Sequence, residues 1–224
     1  GVPMLGRVLA ALHDGAADAS ITVAIDEADG VYPLLARFGA DRLEPAASPA
    51  STVAVALERF GAPLLIVTAD HALLTGVMVQ YFLEHVDPAT DGVVALARRP
   101  TIEARYQTRR TYWRFAGAEV SGCNLFYLGA GGRAAVAFWR LLEADRKKPW
   151  RVVRHLGLGT LIGFLRHRLT LDAALVRLSR VTGATLGWVD MPFAEAAIDV
   201  DKPEDLILAE AILQARGDTV EHAR

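Results

Sequence analysis

The chain has 224 residues and a mass of 24.2 kDa, enough to bury one sizeable core and short for two full domains. Its 52% hydrophobic and 22% charged residues, with a mean hydropathy of +0.25, are those of a folded globular protein and exclude extensive disorder. A net charge of -2 leaves no basic excess for a phosphate backbone, so nucleic acid is not an expected partner.

In chain order, apolar residues at helical spacing predict a helix over 3–12, and a branched apolar run predicts a strand over 21–25. Helices follow over 31–38 and 50–60, then a strand over 63–68, a helix over 74–85 and strands over 92–96 and 123–128. The chain closes with a helix over 132–144, a helix over 171–181, a strand over 184–189 and a helix over 203–214. Several strands lack alternation, as buried parallel strands do. This alternation of strand and helix predicts an α/β sheet, in which ligands bind outside the carboxyl ends of the strands.

No repeat, linker or low-complexity stretch divides the chain, so a single domain over 1–224 is expected, with residues 145–182 as an inserted helical lid or acceptor subdomain. One cysteine, Cys123, excludes an internal disulfide and a cysteine zinc site, and fits a cytoplasmic protein. The longest apolar stretch, 156–165, is about half of the roughly 20 residues a membrane span needs, and residues 1–12 lack the pattern of a secretory signal.

Two acidic features stand at the expected ligand-binding edge. Asp70 ends the strand L-L-I-V-T-A-D, where a lone carboxylate serves equally as a ligand of Mg2+ or as the cap of the following helix. In the segment A-I-D-V-D-K-P-E-D-L, Asp201, Pro203 and Glu204 have the spacing of a capping box. That explains Asp201 but not Asp199, which alternation places on the same face, where two carboxylates repel unless a cation or donor lies between them. A cation site is expected there. Between Arg98 and Arg114 lie six arginines, Arg109 and Arg110 among them, against the single acid Glu103; their forks suit a phosphate or carboxylate, although a solvated loop is the plainer reading for any one. A second basic run, Arg146 to Arg154 and Arg166 to Arg168, flanks the apolar 156–165. Packing against the sheet or a second subunit is the plainer reading of it, so a homodimer is among the expected partners, and peripheral contact with an anionic membrane is the alternative.

Taken in order, G-V-P-M-L at the start, L-L-I-V-T-A-D-H-A-L-L in the middle, S-G-C-N-L-F-Y-L and the closing A-I-D-V-D-K-P-E-D-L-I-L-A-E-A-I-L resemble the MobA-like NTP transferases, nucleotidyltransferases of the GT-A type. The resemblance implies a three-layer α/β/α sandwich with a mostly parallel sheet, and transfer of a nucleotidyl group from an NTP, CTP or GTP foremost, to a small phosphorylated acceptor with release of pyrophosphate. It implies Mg2+ as cofactor, with Asp70 and Asp201 as metal-binding catalytic residues and Asp199 as a neighbouring or water-mediated ligand. Ser51 matches the region that contacts the base, against ordinary helix capping, and Asn124 the region that contacts the acceptor, against a buried hydrogen-bonded strand residue.

The family normally opens with a first strand, a Gly-rich loop of the form L-A-G-G-x-x-x-R-M and a Lys before G-x-P-M, whereas this sequence begins at Gly1-Val2-Pro3-Met4. The expectation is a truncated chain whose phosphate-cradling loop lies upstream. The alternative is a non-catalytic nucleotide- or anion-binding relative of the same fold.

Overall fold

A computed structural model describes residues 2–27, 30–108, 110–145 and 157–217. Seven strands are described: β1 Thr22–Ala24, β2 Asp41–Leu43, β3 Leu64–Val67, β4 Gly92–Arg98, β5 Trp113–Phe115, β6 Ala118–Leu128 and β7 Leu186–Asp190. The helices are α1 Met4–Gly15, α2 Tyr32–Arg37, α3 Pro49–Phe60, α4 Gly76–His85, α5 Arg99–Glu103, α6 Gly132–Ala144, α7 Leu158–Leu165, α8 Leu171–Thr182 and α9 Pro203–Ala215. A 3-10 turn, Ala194–Ala197, follows β7.

The main sheet has the order β3-β6-β4-β7, with β5 added to β6 as the other arm of a hairpin. β4 and β7 pair in parallel, and β6 runs antiparallel to both β3 and β4, so three of the four strands along the path share one direction. β1 and β2 form a separate parallel pair. The strand β3 shows directly why the molecule has three layers. Its alternate residues Leu65 and Val67 join the cluster of Val8, Met78, Val79 and Phe82 from α1 and α4, whereas Leu64 and Ile66 join Val53, Leu57 and Val136 from α3 and α6. A strand with two apolar faces demands helices on both, and the α/β/α sandwich follows.

The last helix, α9, docks by Ala209 and Ile212 on Leu73 and Ile198, next to the loop that leaves β3. Side chains that face water elsewhere lock this end. The buried Glu195 accepts hydrogen bonds from the hydroxyl of Tyr106 at 2.7 Å and the guanidinium of Arg105 at 3.2 Å, and pairs with Arg216 at 3.2 Å. Arg216 also donates to the carbonyl of Leu73 at 3.4 Å.

Helices α1 and α4 cross so closely that no side chain fits between them. A Cβ on Gly15 would lie 2.4 Å from the carbonyl oxygen of Gly76, and one on Gly76 would lie 2.7 Å from Cβ of Asp14. Isolated helix propensity favours Gly15→Ala by about 1 kcal/mol, but the backbone clash reverses that sign. We expect Gly15→Ala to destabilise the protein by roughly 1–3 kcal/mol or more, read as a lowered urea midpoint.

Candidate active site

Three carboxylates converge where β3 ends. One ligand oxygen each of Asp70, Asp199 and Asp201 lies within 4.8 Å of the others. The chain brings them together through the backbone: the carbonyl of Asp70 accepts the N–H of Ala72 at 3.0 Å and that of Val200 at 3.1 Å, which fastens the segment before α9 to the turn after β3. Asp70 is not a helix cap, because Thr75 caps α4, its side chain accepting the N–H of Met78 at 3.4 Å. The Asp70 carboxylate instead accepts a hydrogen bond from the hydroxyl of Thr68.

Asp201 is not a cap either. Helix α9 begins one residue later than the capping-box reading places it, with Lys202 as the N-cap residue. Asp205 in its first turn accepts the N–H groups of Lys202 at 3.0 Å and Asp201 at 3.3 Å. A carboxylate three residues into the helix does the capping, and the exposed side chain of Asp201 stays free for the cluster.

The donors that the Asp199 side chain requires are protein groups. Arg110, whose side chain is 9% exposed, bonds one oxygen of Asp199 directly and reaches Asp205 at 3.3 Å. The amide of Asn124 donates to the other oxygen of Asp199 at 2.9 Å. Asn124 is aimed by a break in β6: between the pairs Val94↔Phe126 and Leu96↔Gly122, β4 has one residue and β6 three. Asn124 sits in that bulge at φ 53, a left-handed conformation that asparagine accepts better than most residues. Thus Arg110, read from the sequence as a substrate fork, spends its guanidinium on two carboxylates of its own chain.

A cavity of about 720 Å3 opens beside this cluster. Arg110, Asn124, Asp199, Asp201 and Lys202 line it together with Trp113, Phe126 and the small or hydroxyl-bearing Thr108, Thr111, Ser121 and Gly122. Of the residues expected at the site, Ser51 is elsewhere: it lies in the first turn of α3, where its N–H donates to the N-cap Ser48 at 3.3 Å and its hydroxyl accepts from that of Ser48 at 3.1 Å. Arg109 lies outside the described residues. Thr68 and Asp205 were not foreseen, although Thr68 stands two positions before Asp70 and Asp205 in the first turn of α9.

Residues 1–158 match the MobA-like NTP transferase domain. The chain belongs to this family. A solved structure described as a hypothetical transferase from Thermus thermophilus is similar to it, with 29% identity and a TM-score of 0.79 over 91% of this chain and 86% of that one. No curated protein matches the chain. The family match ends before Asp199 and Asp201, so these carboxylates enter the site through the fold, which the structural similarity carries over most of the chain.

Two buried titratable groups flank this MobA-like site. His71, fully buried, has its imidazole pushed down to about 4: burial dominates, the backbone of Glu195 and the charge of Asp70 raise it, and Arg110 lowers it again. It is held neutral. Burial raises the carboxyl of Glu195, but the hydroxyl of Tyr106 and the charge of Arg216 outweigh it and hold the group below its ordinary value.

Both groups bind protons more readily in the unfolded chain, so both stabilise the fold at neutral pH and lose that contribution as acid is added. The share of His71 disappears as pH falls from 6.5 towards about 4, and that of Glu195 below the ordinary carboxylate value of about 4.3. Urea midpoints measured across this range should fall with pH. His71→Leu is expected to flatten the upper part of the curve and Glu195→Gln the lower part. Removing Arg110 leaves two largely buried carboxylates unpaired, so Arg110→Ala should cost roughly 3–5 kcal/mol in the same assay, with Arg110→Lys recovering only part of it.

Proposed function

We propose that this chain is a nucleotidyltransferase domain that moves an NMP group from an NTP to a small phosphorylated or anionic acceptor, with release of pyrophosphate. Membership of the MobA-like NTP transferase family supports a nucleotide substrate. The observation that carries the reading furthest is the convergence of Asp70, Asp199 and Asp201 at one edge of a cavity large enough for a small ligand. CTP or GTP is the proposed donor, and residues 145–182 the proposed lid of a single domain located in the cytoplasm.

The donor set fits a hard divalent cation. Three carboxylates offer only oxygen, which suits Mg2+ and gives no preference to a soft metal. Asp70 and Asp201 would hold the ion, each with oxygen atoms not taken up by Arg110 or Asn124. Both oxygens of Asp199 are already engaged by those two residues, so it serves through its field and its contacts as a neighbour of the ion. When bound, Mg2+ would supply charge neutralisation on the phosphate oxygens.

The chain's own residues do the positioning. Thr68 orients the Asp70 carboxylate by its hydroxyl proton, and Asn124 and Arg110 fix the rotamer of Asp199. Lys202, on the cavity wall, is placed to balance the charge of an anionic acceptor. The attacking oxygen belongs to the acceptor, so no protein nucleophile is required, and catalysis is alignment plus electrostatic compensation.

Asp70→Asn and Asp201→Asn in the full-length protein should each lower Mg2+-dependent pyrophosphate release by two orders of magnitude or more, on the order of 3 kcal/mol in the barrier, with thermal stability unchanged or raised, because each removes one of three mutually repelling charges. Thermal-shift measurements with ATP, GTP, CTP and UTP, each with and without Mg2+, should show one nucleotide whose stabilisation needs the metal. No shift with any of the four would favour the non-catalytic relative instead.

A further inference from the structure

Helix α7, of sequence L-G-T-L-I-G-F-L, buries none of its described side chains. Ile162 is 41% exposed and Leu165 64%, and on the neighbouring α8 Val176 is 52% exposed and Val181 38%. The segment packs against the sheet only in part, and leaves these side chains facing outward. Only Phe164 makes an aromatic contact inward, edge to face with Phe115 at 5.4 Å. A groove of about 650 Å3 runs between the two helices over Leu169, Ala173 and Val176, with Arg177 and Arg180 on its wall.

The rim of this apolar face is basic. Arg166, Arg168, Arg177 and Arg180 are all exposed, against one acid on the two helices, Asp172, whose carboxylate accepts the indole N–H of Trp188 at 3.1 Å. The preceding sequence, 146–156, adds five Lys and Arg residues and no acid in a chain of net charge -2. A short, largely apolar helix flanked by arginines has the composition of a segment that lies in the headgroup region of a bilayer: apolar side chains enter the acyl boundary and the guanidinium groups meet lipid phosphates. At eight residues it is about 12 Å long, enough to lie in that layer, and no helix among the described residues is long and apolar enough to cross a membrane. A second copy of the chain is a poorer occupant, because a two-fold contact sets the patch against itself and brings like charges together.

We propose that α7 and the adjoining face of α8 form a docking surface for an anionic membrane. The surface is joined to the cavity through one hairpin: the N–H of Ala116, in the β5–β6 turn, donates to the carbonyl of Leu169 at 2.8 Å, and Trp113 at the start of the same hairpin lines the cavity. Docking thus holds the mouth of the cavity at a set distance from the lipid.

The test is flotation of the purified full-length protein, without nucleotide, on vesicles of phosphatidylcholine alone and of phosphatidylcholine mixed with phosphatidylglycerol. The protein is expected to float with the anionic vesicles only, and less so at high salt. Ile162→Glu with Leu165→Glu should reduce the bound fraction roughly tenfold or more, and Arg166→Glu with Arg168→Glu should do the same. These four residues are exposed, and unchanged far-UV circular dichroism checks that the fold survives. The proposal is overturned by absence of binding to anionic vesicles at low salt, or by binding that neither pair of substitutions weakens. It is equally overturned by a dimer, seen in sedimentation velocity, that the Ile162 and Leu165 substitutions dissociate.

Discussion

Three carboxylates drawn to within 4.8 Å of one another repel by roughly 3–4 kcal/mol per pair at an effective dielectric of about 20. A stable protein tolerates that only if donors are delivered to the same place, and much of the architecture can be followed from this requirement. Arg110 comes in from the stretch before β5 and Asn124 from the bulge in β6, while Asp205, in the first turn of α9, accepts from Arg110 and holds it in place. Arg110 and Asn124 belong to different parts of the chain, and both turn their donors to Asp199. The left-handed backbone of Asn124 is the plainest case, since the strand departs from its ladder at the position whose amide reaches Asp199.

A second group of charges, around Glu195, keeps the cluster assembled without touching it. Asp199 and Asp201 lie on the link between the 3-10 turn and α9, and both ends of that link are held. Glu195 ties the turn to Tyr106 and Arg105, and Arg216 at the end of α9 grips both Glu195 and the carbonyl of Leu73. With Val200 bonded to Asp70 and Arg216 to Leu73, the two acidic segments are stitched at two points. None of the side chains of Glu195, Tyr106, Arg105 and Arg216 lines the cavity, and the network positions the site by bracing it.

Periodicity made the long, apolar elements legible. The helices over 50–60, 74–85, 132–144 and 203–214 stand within two residues of their expected bounds, and β3, β4 and β7 carry the branched apolar runs that announced them. The three-residue strands β2 and β5 were not readable, because Asp41-Arg42-Leu43 and Trp113-Arg114-Phe115 have too few residues and too much charge to show a period. The start of β6, at Ala118 and not at Cys123, was hidden too, because Ala118-Glu119-Val120-Ser121-Gly122 mixes a charge, a hydroxyl and a glycine with few apolar residues. At the site, the three aspartates were legible by type and place. The engagement of Arg110 was not: a guanidinium beside a cavity looks the same in sequence whether it awaits a phosphate or already holds two carboxylates. Which residue caps α9 also hung on a one-residue shift that spacing alone does not decide.

The contact between Gly15 and Gly76 has a dynamic consequence. Because backbone meets backbone there, α1 and α4 behave as one strut, and the loop bearing Asp70 enters that strut at Thr75 and Gly76 while its other end is pinned by Val200. Amide protons in this region can exchange with solvent only when a large cooperative unit opens, whereas α7, none of whose described side chains is buried, opens at small cost. The protein therefore carries two clocks, a slow one at the acidic cluster and a fast one at its basic, apolar edge.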